Sequence, residues 1–181
     1  DPCRLAYVED KEADDPRITL ETFLSYAPRF ADKIVTLREG DVVRLGSCSF
    51  EVLLTPDTSI EENKGNNATT VIRLRLGSKS ILLLGALGTE GSQRLLEKHG
   101  EALKSDLCQV SHHGQRGCTR EVYAAIAPES CIWTAPDWLW DKGKNEFDFS
   151  HNRIEVEWNW MKELGVKEHY VVHSGDVCIE C

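Results

Sequence analysis

The sequence has one methionine, Met161, and none at its start, which reads "DPCRLAYVED". No signal-like apolar segment follows. The natural start is therefore expected upstream, and the chain reads as processed or as a piece of something longer. No apolar run approaches the ~20 residues that cross a bilayer, so no membrane span is expected. Positive charge is scarce: 21 Lys and Arg stand against 30 Asp and Glu, a net charge of −9. This argues against a broad basic surface for tracking nucleic acid, which is not expected as a tight partner. It leaves room for a phosphorylated substrate held by a metal. A second C-x-x-C is also missing. "CIEC", Cys178 to Cys181, stands alone with no helix after it, which argues against a zinc ribbon and against thioredoxin-like chemistry. The seven cysteines are odd in number and their spacing closes no framework. Cys108 and Cys131 lie in apolar runs and read as reduced core thiols of a cytoplasmic protein. There is no internal repeat.

What is present is enough for one core. The chain has 181 residues, of which 41% are apolar and 28% charged. Residues 1–36 read as a polar, acidic tail and a short helix, "LETFLSYAPRFADKI", broken at Pro28. From Leu37 onward the pattern is a run of strands, then strand–helix alternation. Val42 to Leu45 and Phe50 to Leu54 form two strands joined at Gly46-Ser47. Val71 to Leu76 alternates, and after Gly77-Ser78 the run Ile81 to Leu84 is continuously apolar, as in a sheet covered on both faces. Thr89 to His99 reads as a helix stopped by Gly100. "DLCQV" is a buried strand, Thr119 caps a short helix ending at Pro128, and "SCIWTA" is another strand. "DWLWDKGKNEFDFSH" is irregular. "NRIEVEWNWMKELG" is an amphipathic helix with Ile154, Trp158 and Met161 on one face and Gly165 at its end. "HYVVHSGDVCIE" predicts a closing hairpin across Ser174-Gly175.

The chemistry centres on "CQVSHHGQRG". A strand that ends in His112-His113-Gly114 delivers two imidazoles to the carboxyl edge of a sheet, where α/β sites gather. Neutral imidazole is the commonest metal ligand, and glycine lets backbone pass close to a bound group. The plain alternative is two solvated loop histidines. His169 and His173 read as exposed strand residues, Asp106 as a cap or turn residue, and Asp57 and Asp137 as loop residues. Trp133, Trp138 and Trp140 read as cover for the sheet edge, with the lining of a substrate groove as the alternative. Asn67-Ala68-Thr69 fits a glycosylation sequon, but nothing suggests secretion.

Five pieces in order carry a likeness. They are "NNATTVIRLRLGSKSILLLGALG", "LLEKHGEALKSDLCQVSHHG", "YAAIAPESCIW", "SHNRIEVEWNWMKELGV" and "HSGDVCIE". Together they resemble the C-terminal half of the metallo-β-lactamase superfamily, in the branch that includes competence DNA-uptake proteins. The resemblance implies an αββα sandwich, of class α/β (α+β), with residues 37–181 forming roughly the C-terminal sheet-plus-helices half. It implies two zinc, manganese or other divalent ions and hydrolysis of esters, amides or phosphodiesters by metal-activated water. It makes His112 or His113 a metal ligand, without choosing between them. It sets His151, Asn67 and Thr69 toward the substrate.

Two departures set the expectations for this chain. The strand that ends in Gly-Asp in the family ends here in Gly85-Ala86, and alanine has no oxygen to bridge two ions. The front His-x-His-x-Asp-His motif occurs nowhere in the sequence. The chain is therefore expected to hold no metal tightly by itself. It is expected to need a missing N-terminal half or a second copy of itself. The two functional readings are a partial metal-dependent hydrolase and a degenerate, non-catalytic domain for binding or assembly.

Overall fold

In the computed structural model, the residues described are 5–7, 20–57, 59–140, 154–172 and 175–179. The N-terminal region contributes β1 (Leu5–Tyr7), α1 (Leu20–Tyr26), a 3-10 turn (Pro28–Lys33) and β2 (Ile34–Thr36). β1 and β2 pair in parallel as a small two-stranded sheet. Pro28 separates α1 from the 3-10 turn: its ring has no amide hydrogen to continue the helix.

The rest is built on β3 (Val42–Leu45), β4 (Cys48–Leu54), β5 (Val71–Leu76), β6 (Lys79–Leu83), β7 (Leu107–Gln109), β8 (Ser130–Trp133) and β9 (Glu168–Val171). These form one sheet in sequential order. β3 to β6 are antiparallel, and β6 to β9 run parallel. The hairpin glycines Gly46 and Gly77 have φ of 61° and 60°, a conformation that costs other residues energy. Between the strands lie α2 (Lys64–Asn67), α3 (Thr89–His99), α4 (Arg120–Ile126), α5 (Asp137–Trp140) and α6 (Ile154–Glu163).

Register shows which residues share a face. Arg73, Leu82, Cys108, Cys131 and His169 lie in one cross-strand row. Leu82, Cys108 and Cys131 of this row, with Val71, Leu84, Val110 and Trp133, pack under Leu95 of α3, Val122, Tyr123 and Ile126 of α4, and Ile154 and Met161 of α6. The opposite face carries Leu74, Ile81 and Leu107 in one row and Ile72, Leu83, Gln109 and Ile132 in the next. Of these, Ile72, Leu74, Ile81, Leu83 and Ile132 are only half-buried. That apolar second face is what a sheet meant to meet another layer presents.

Several details differ from the sequence reading. The closing hairpin has its first strand in β9, but residues 175–179 form no second one. β9 is an edge strand, and its outer side is left unpaired by those residues. Ser174 and His173 lie outside the described residues, as does all of "DKGKNEFDFSH", His151 included. Thr119 is the N-cap of α4, but its side chain makes no cap bond; its amide donates to Ser92 Oγ at 3.2 Å. His169 is half-buried rather than exposed. It packs against Trp158 with ring centroids 4.3 Å apart and the planes tilted by 42°, and accepts Trp133 Nε1–H at 3.1 Å.

Candidate functional site

The carboxyl ends of β6, β7 and β8 meet at one edge. After β6 the chain turns through Gly85-Ala86; after β7 it enters a short turn at Ser111–Gly114; after β8 comes Thr134. Gln109 ties the first two together. Its Oε1 accepts from the amides of Leu84 (3.1 Å) and Gly85 (2.8 Å), and its Nε2 donates to the carbonyls of Gly85 and Val110. The His112 amide then donates to the Gly85 carbonyl at 2.8 Å. The Gly-Ala turn and the histidine turn are thus hydrogen-bonded neighbours.

The histidine turn is strained. His112 (φ 47°) and His113 (φ 60°) both have left-handed backbone, followed by Gly114 at φ 80°. A residue with a Cβ pays roughly 1–2 kcal/mol for this conformation. Gly114 has its own reason to be glycine: a Cβ there would lie 2.9 Å from the Trp133 ring.

The two imidazoles have different surroundings. His113 is exposed, and its Nδ1 lies 2.9 Å from the Thr134 carbonyl. A carbonyl only accepts, so Nδ1 carries the proton and the Nε2 lone pair is left for another partner. His112 is half-buried. Its Nε2 is 3.5 Å from Asn66 Nδ2, and its Nδ1 is buried with no hydrogen-bond partner. Burial pulls its pKa below the ordinary imidazole range; the Gln115 backbone, outside hydrogen-bond geometry, offsets part of this, and His113 adds to the lowering. His112 is therefore a neutral imidazole at neutral pH. The ring centroids are 6.2 Å apart.

Of the residues expected to face a substrate, Asn67 takes another role. It is buried at 2% exposure. Its Oδ1 accepts from the amides of Gly88 (3.0 Å) and Gly91 (3.1 Å), and its Nδ2 donates to the Glu62 carbonyl (3.0 Å) and Glu90 Oε2 (2.8 Å). It caps α3 from outside the helix, in place of the side chain that Gly88 lacks. All its hydrogen-bonding capacity is used inside the fold, which leaves none for a substrate. Thr69 accepts the Ala86 amide at 3.1 Å and holds the end of β6. His151 lies outside the described residues.

The remaining singled-out groups are structural. Asp106 Oδ2 accepts from the amide and hydroxyl of Ser80, each at 2.8 Å. Asp57 turns the chain at Ser59 and pairs with Arg94 at 3.2 Å. Cys108 and Cys131 are buried free thiols with sulfurs 3.7 Å apart. Trp133 is fully buried and meets Trp140 and Trp158 at 5.8 and 5.3 Å. It sits in the core on the interior strand β8, and its ring lies against Gly114 of the histidine turn.

A metal would find two imidazoles here. Zinc takes three or four protein ligands in ordinary sites. Among the described residues no three His, Cys, Asp or Glu side chains converge, and Ala86 brings only a methyl group to the adjoining turn. The described residues do not make a metal centre by themselves.

No family model matches the chain. In sequence, 123 residues are 31% identical to ComE operon protein 3 of Bacillus subtilis, covering 67% of this chain and 15% of that protein. In structure, the metallo-β-lactamase fold protein YhfI of B. subtilis matches with a TM-score of 0.50 at 11% identity, covering 97% of this chain and 65% of YhfI. This chain has the metallo-β-lactamase fold. CmlA, a diiron β-hydroxylase from Streptomyces venezuelae, matches with a TM-score of 0.54 at 14% identity over 92% of this chain and 38% of CmlA. Identities this low speak for the fold alone. The chain spans 15% of ComE operon protein 3, so that match covers a small part of a longer protein. The Gly85-Ala86 turn and the His112-His113 turn lie side by side at the sheet's carboxyl edge, joined by the bond from the His112 amide to the Gly85 carbonyl.

Two groups that sequence reading missed complete the picture. Asn66 reaches His112, though its neighbours in the Asn-Asn-Ala-Thr turn had drawn the attention. Glu157, on the face of α6 shared with Ile154 and Met161, is 1% exposed. A carboxylate at helical spacing among apolar residues is the signal that could have found it.

Proposed function

We propose that this chain is the C-terminal part of a metallo-β-lactamase-fold hydrolase acting on esters or phosphodiesters. In this reading it supplies imidazoles and their scaffold to a centre completed by residues outside the described set. The observation that carries it is the histidine turn. Two adjacent side-chain-bearing residues are held in left-handed backbone, one with its Nδ1 proton fixed on Thr134, which leaves the Nε2 lone pair for a further partner. A strained turn presenting ligand-ready imidazoles is what a site needs and a plain connection does not.

A second reading is favoured by Ala86: a domain that has lost its centre and serves in binding or assembly. The longer natural protein distinguishes the two. Elemental analysis for zinc and manganese is paired with turnover of a phosphodiester and an ester. The hydrolase reading expects bound metal and a loss of at least about 100-fold on His112→Ala or His113→Ala. It also expects Ala86→Asp to raise metal content and rate. No metal and no turnover in the longer protein would leave the binding reading standing. The isolated chain is expected to be inactive under both.

A further inference from the structure

The turn that carries His112 and His113 is closed on itself. A Cβ on Gly117 would lie 2.6 Å from Ser111 Cβ and Oγ and 2.7 Å from the Ser111 carbonyl oxygen. Residues 111 and 117 are thus in van der Waals contact, with the strained histidines between them. Something must hold this loop against the roughly 1–3 kcal/mol that each left-handed side-chain-bearing residue stores.

The holding group comes from the far end of the chain. The Ser111 amide donates to the Tyr123 hydroxyl at 3.2 Å. That hydroxyl donates to Glu157 Oε2 at 2.8 Å, and the Gly117 amide donates to Glu157 Oε1 at 2.8 Å. One carboxyl group therefore links both ends of the loop, directly at Gly117 and through the Tyr123 hydroxyl at Ser111. A buried carboxylate is expensive unless its hydrogen bonds are made, so its place here needs a reason beyond filling space. Two apolar side chains could pack α6 on α4, but they could not receive the Ser111 and Gly117 amides.

We infer that Glu157 is the positioning residue of the histidine turn: through Tyr123 and the Gly117 amide it clamps both ends of residues 111–117 and sets the left-handed His112-His113 pair. Nothing in this depends on the hydrolytic reading, since it concerns how the turn is held. The titratable groups facing Glu157 are Tyr123 of α4, Cys118 beside the loop and Cys108 of β7. Burial keeps Tyr123 and Cys118 neutral; the Cys131 contact, then burial, does the same for Cys108. No ion pair to Glu157 is formed among the described residues. Its carboxyl is pushed up to about 7 by burial, against the two hydrogen bonds it accepts.

The test uses the full chain with isotope-labelled backbone and histidines. Tyr123→Phe and Glu157→Leu are expected to move the His112 and His113 imidazole signals. They should also speed exchange of the Ser111 and Gly117 amides by about tenfold or more. His99, whose Nε2 lies 2.8 Å from the Leu53 carbonyl at the other end of α3, should stay where it is. Glu157→Gln keeps an acceptor for Gly117 and a partner for Tyr123, so its imidazole signals should remain near wild type. The Gly117 amide shift should step with a midpoint near about 7 in the wild type and in His113→Ala, and lose that step in Glu157→Gln. Tyr123→Phe removes one oxygen and keeps the ring. If its imidazole signals do not move, or if Glu157→Gln displaces them as far as Glu157→Leu, the inference is wrong. Should Glu157→Leu fail to fold, the Phe and Gln variants decide by the same criteria.

Discussion

Asn67→Ala should be among the most costly polar truncations in this chain. The side chain is buried, and its Oδ1 is the acceptor for two amides, Gly88 and Gly91, at the start of α3. Removing it leaves both amides without a partner in a place water does not reach. An orphaned buried amide costs about 1–3 kcal/mol, and loss of a helix cap alone costs about 1 kcal/mol. The two descriptions overlap, so the expected loss is about 2–4 kcal/mol rather than their sum. Damage would spread toward the histidine turn, because the Leu87 carbonyl beside this cap accepts Ser111 Oγ at 2.7 Å. Denaturant unfolding is the assay: the midpoint should fall while the slope stays constant. Asn67→Asp is the informative control. It keeps the acceptor for Gly88 and Gly91 but sets an oxygen where Nδ2 now donates to Glu90 Oε2 at 2.8 Å. It should be destabilised too, and Glu90→Gln should recover part of the loss by turning repulsion into a hydrogen bond. A cost below about 0.5 kcal/mol for Asn67→Ala, the ordinary range for a surface change, would refute the capping argument.

Glu157 should give stability a pH slope. Its folded pKa, about 7, lies above the unfolded value of 4.5. The protonated form is therefore favoured by folding. Its contribution is fully present below about pH 4.5 and is lost as pH rises through about 7. Glu157→Gln should gain on the wild type between pH 5 and pH 8, by roughly 2–3 kcal/mol in denaturant unfolding; a constant difference across that range would contradict the assignment. Gly117→Ala should be destabilising by about 2 kcal/mol or more in thermal melts, because its Cβ meets the Ser111 backbone oxygen, which has no rotamer to escape into. The half-buried second sheet face should make the isolated chain self-associate in sedimentation, and Leu74→Lys with Ile81→Lys should shift it toward monomer; a monomeric wild type would count against an unmet face.

Much of the fold was legible because its signals are local. Alternation marks β5, glycines at Gly46 and Gly77 mark the hairpins, and Gly100 marks the end of α3. The site was legible only in part. "SHHG" after an apolar strand says that imidazoles reach a sheet edge, but not which way they turn, since that depends on Thr134 and Asn66 from distant parts of the chain. The hydrogen bonds of Asn67 were illegible for the same reason. Its turn motif is readable, while its partners Gly88, Gly91 and Glu90 lie more than twenty residues away. Glu157 escaped because periodicity arguments count apolar residues on a helix face and pass over the polar one among them. The second strand of the final hairpin is not formed by residues 175–179, because a turn dipeptide shows where a chain can reverse, not whether an edge strand will accept it.

The energy of the histidine turn gives the most direct argument that it is more than a connection. Two consecutive residues with Cβ atoms sit at positive φ, and His112 Nδ1 is buried without a partner. Each feature is unfavourable, by about 1–2 kcal/mol for each backbone and about 1–3 kcal/mol for the orphaned nitrogen. Glycine or asparagine would make the same turn more cheaply. The sequence instead places imidazoles there, frees one Nε2 by fixing Nδ1 on Thr134, and commits a buried carboxylate to hold the loop's two ends. A fold with a few kcal/mol of net stability tolerates such a local cost where the geometry is used. Ala86 removes an oxygen from one side of that edge, but it does not relax the turn on the other. If the turn had no remaining use, His112→Asn together with His113→Gly should stabilise the chain and change nothing else. If the imidazoles still bind or act, the same double change should stabilise the chain and abolish the activity or metal uptake of the natural protein.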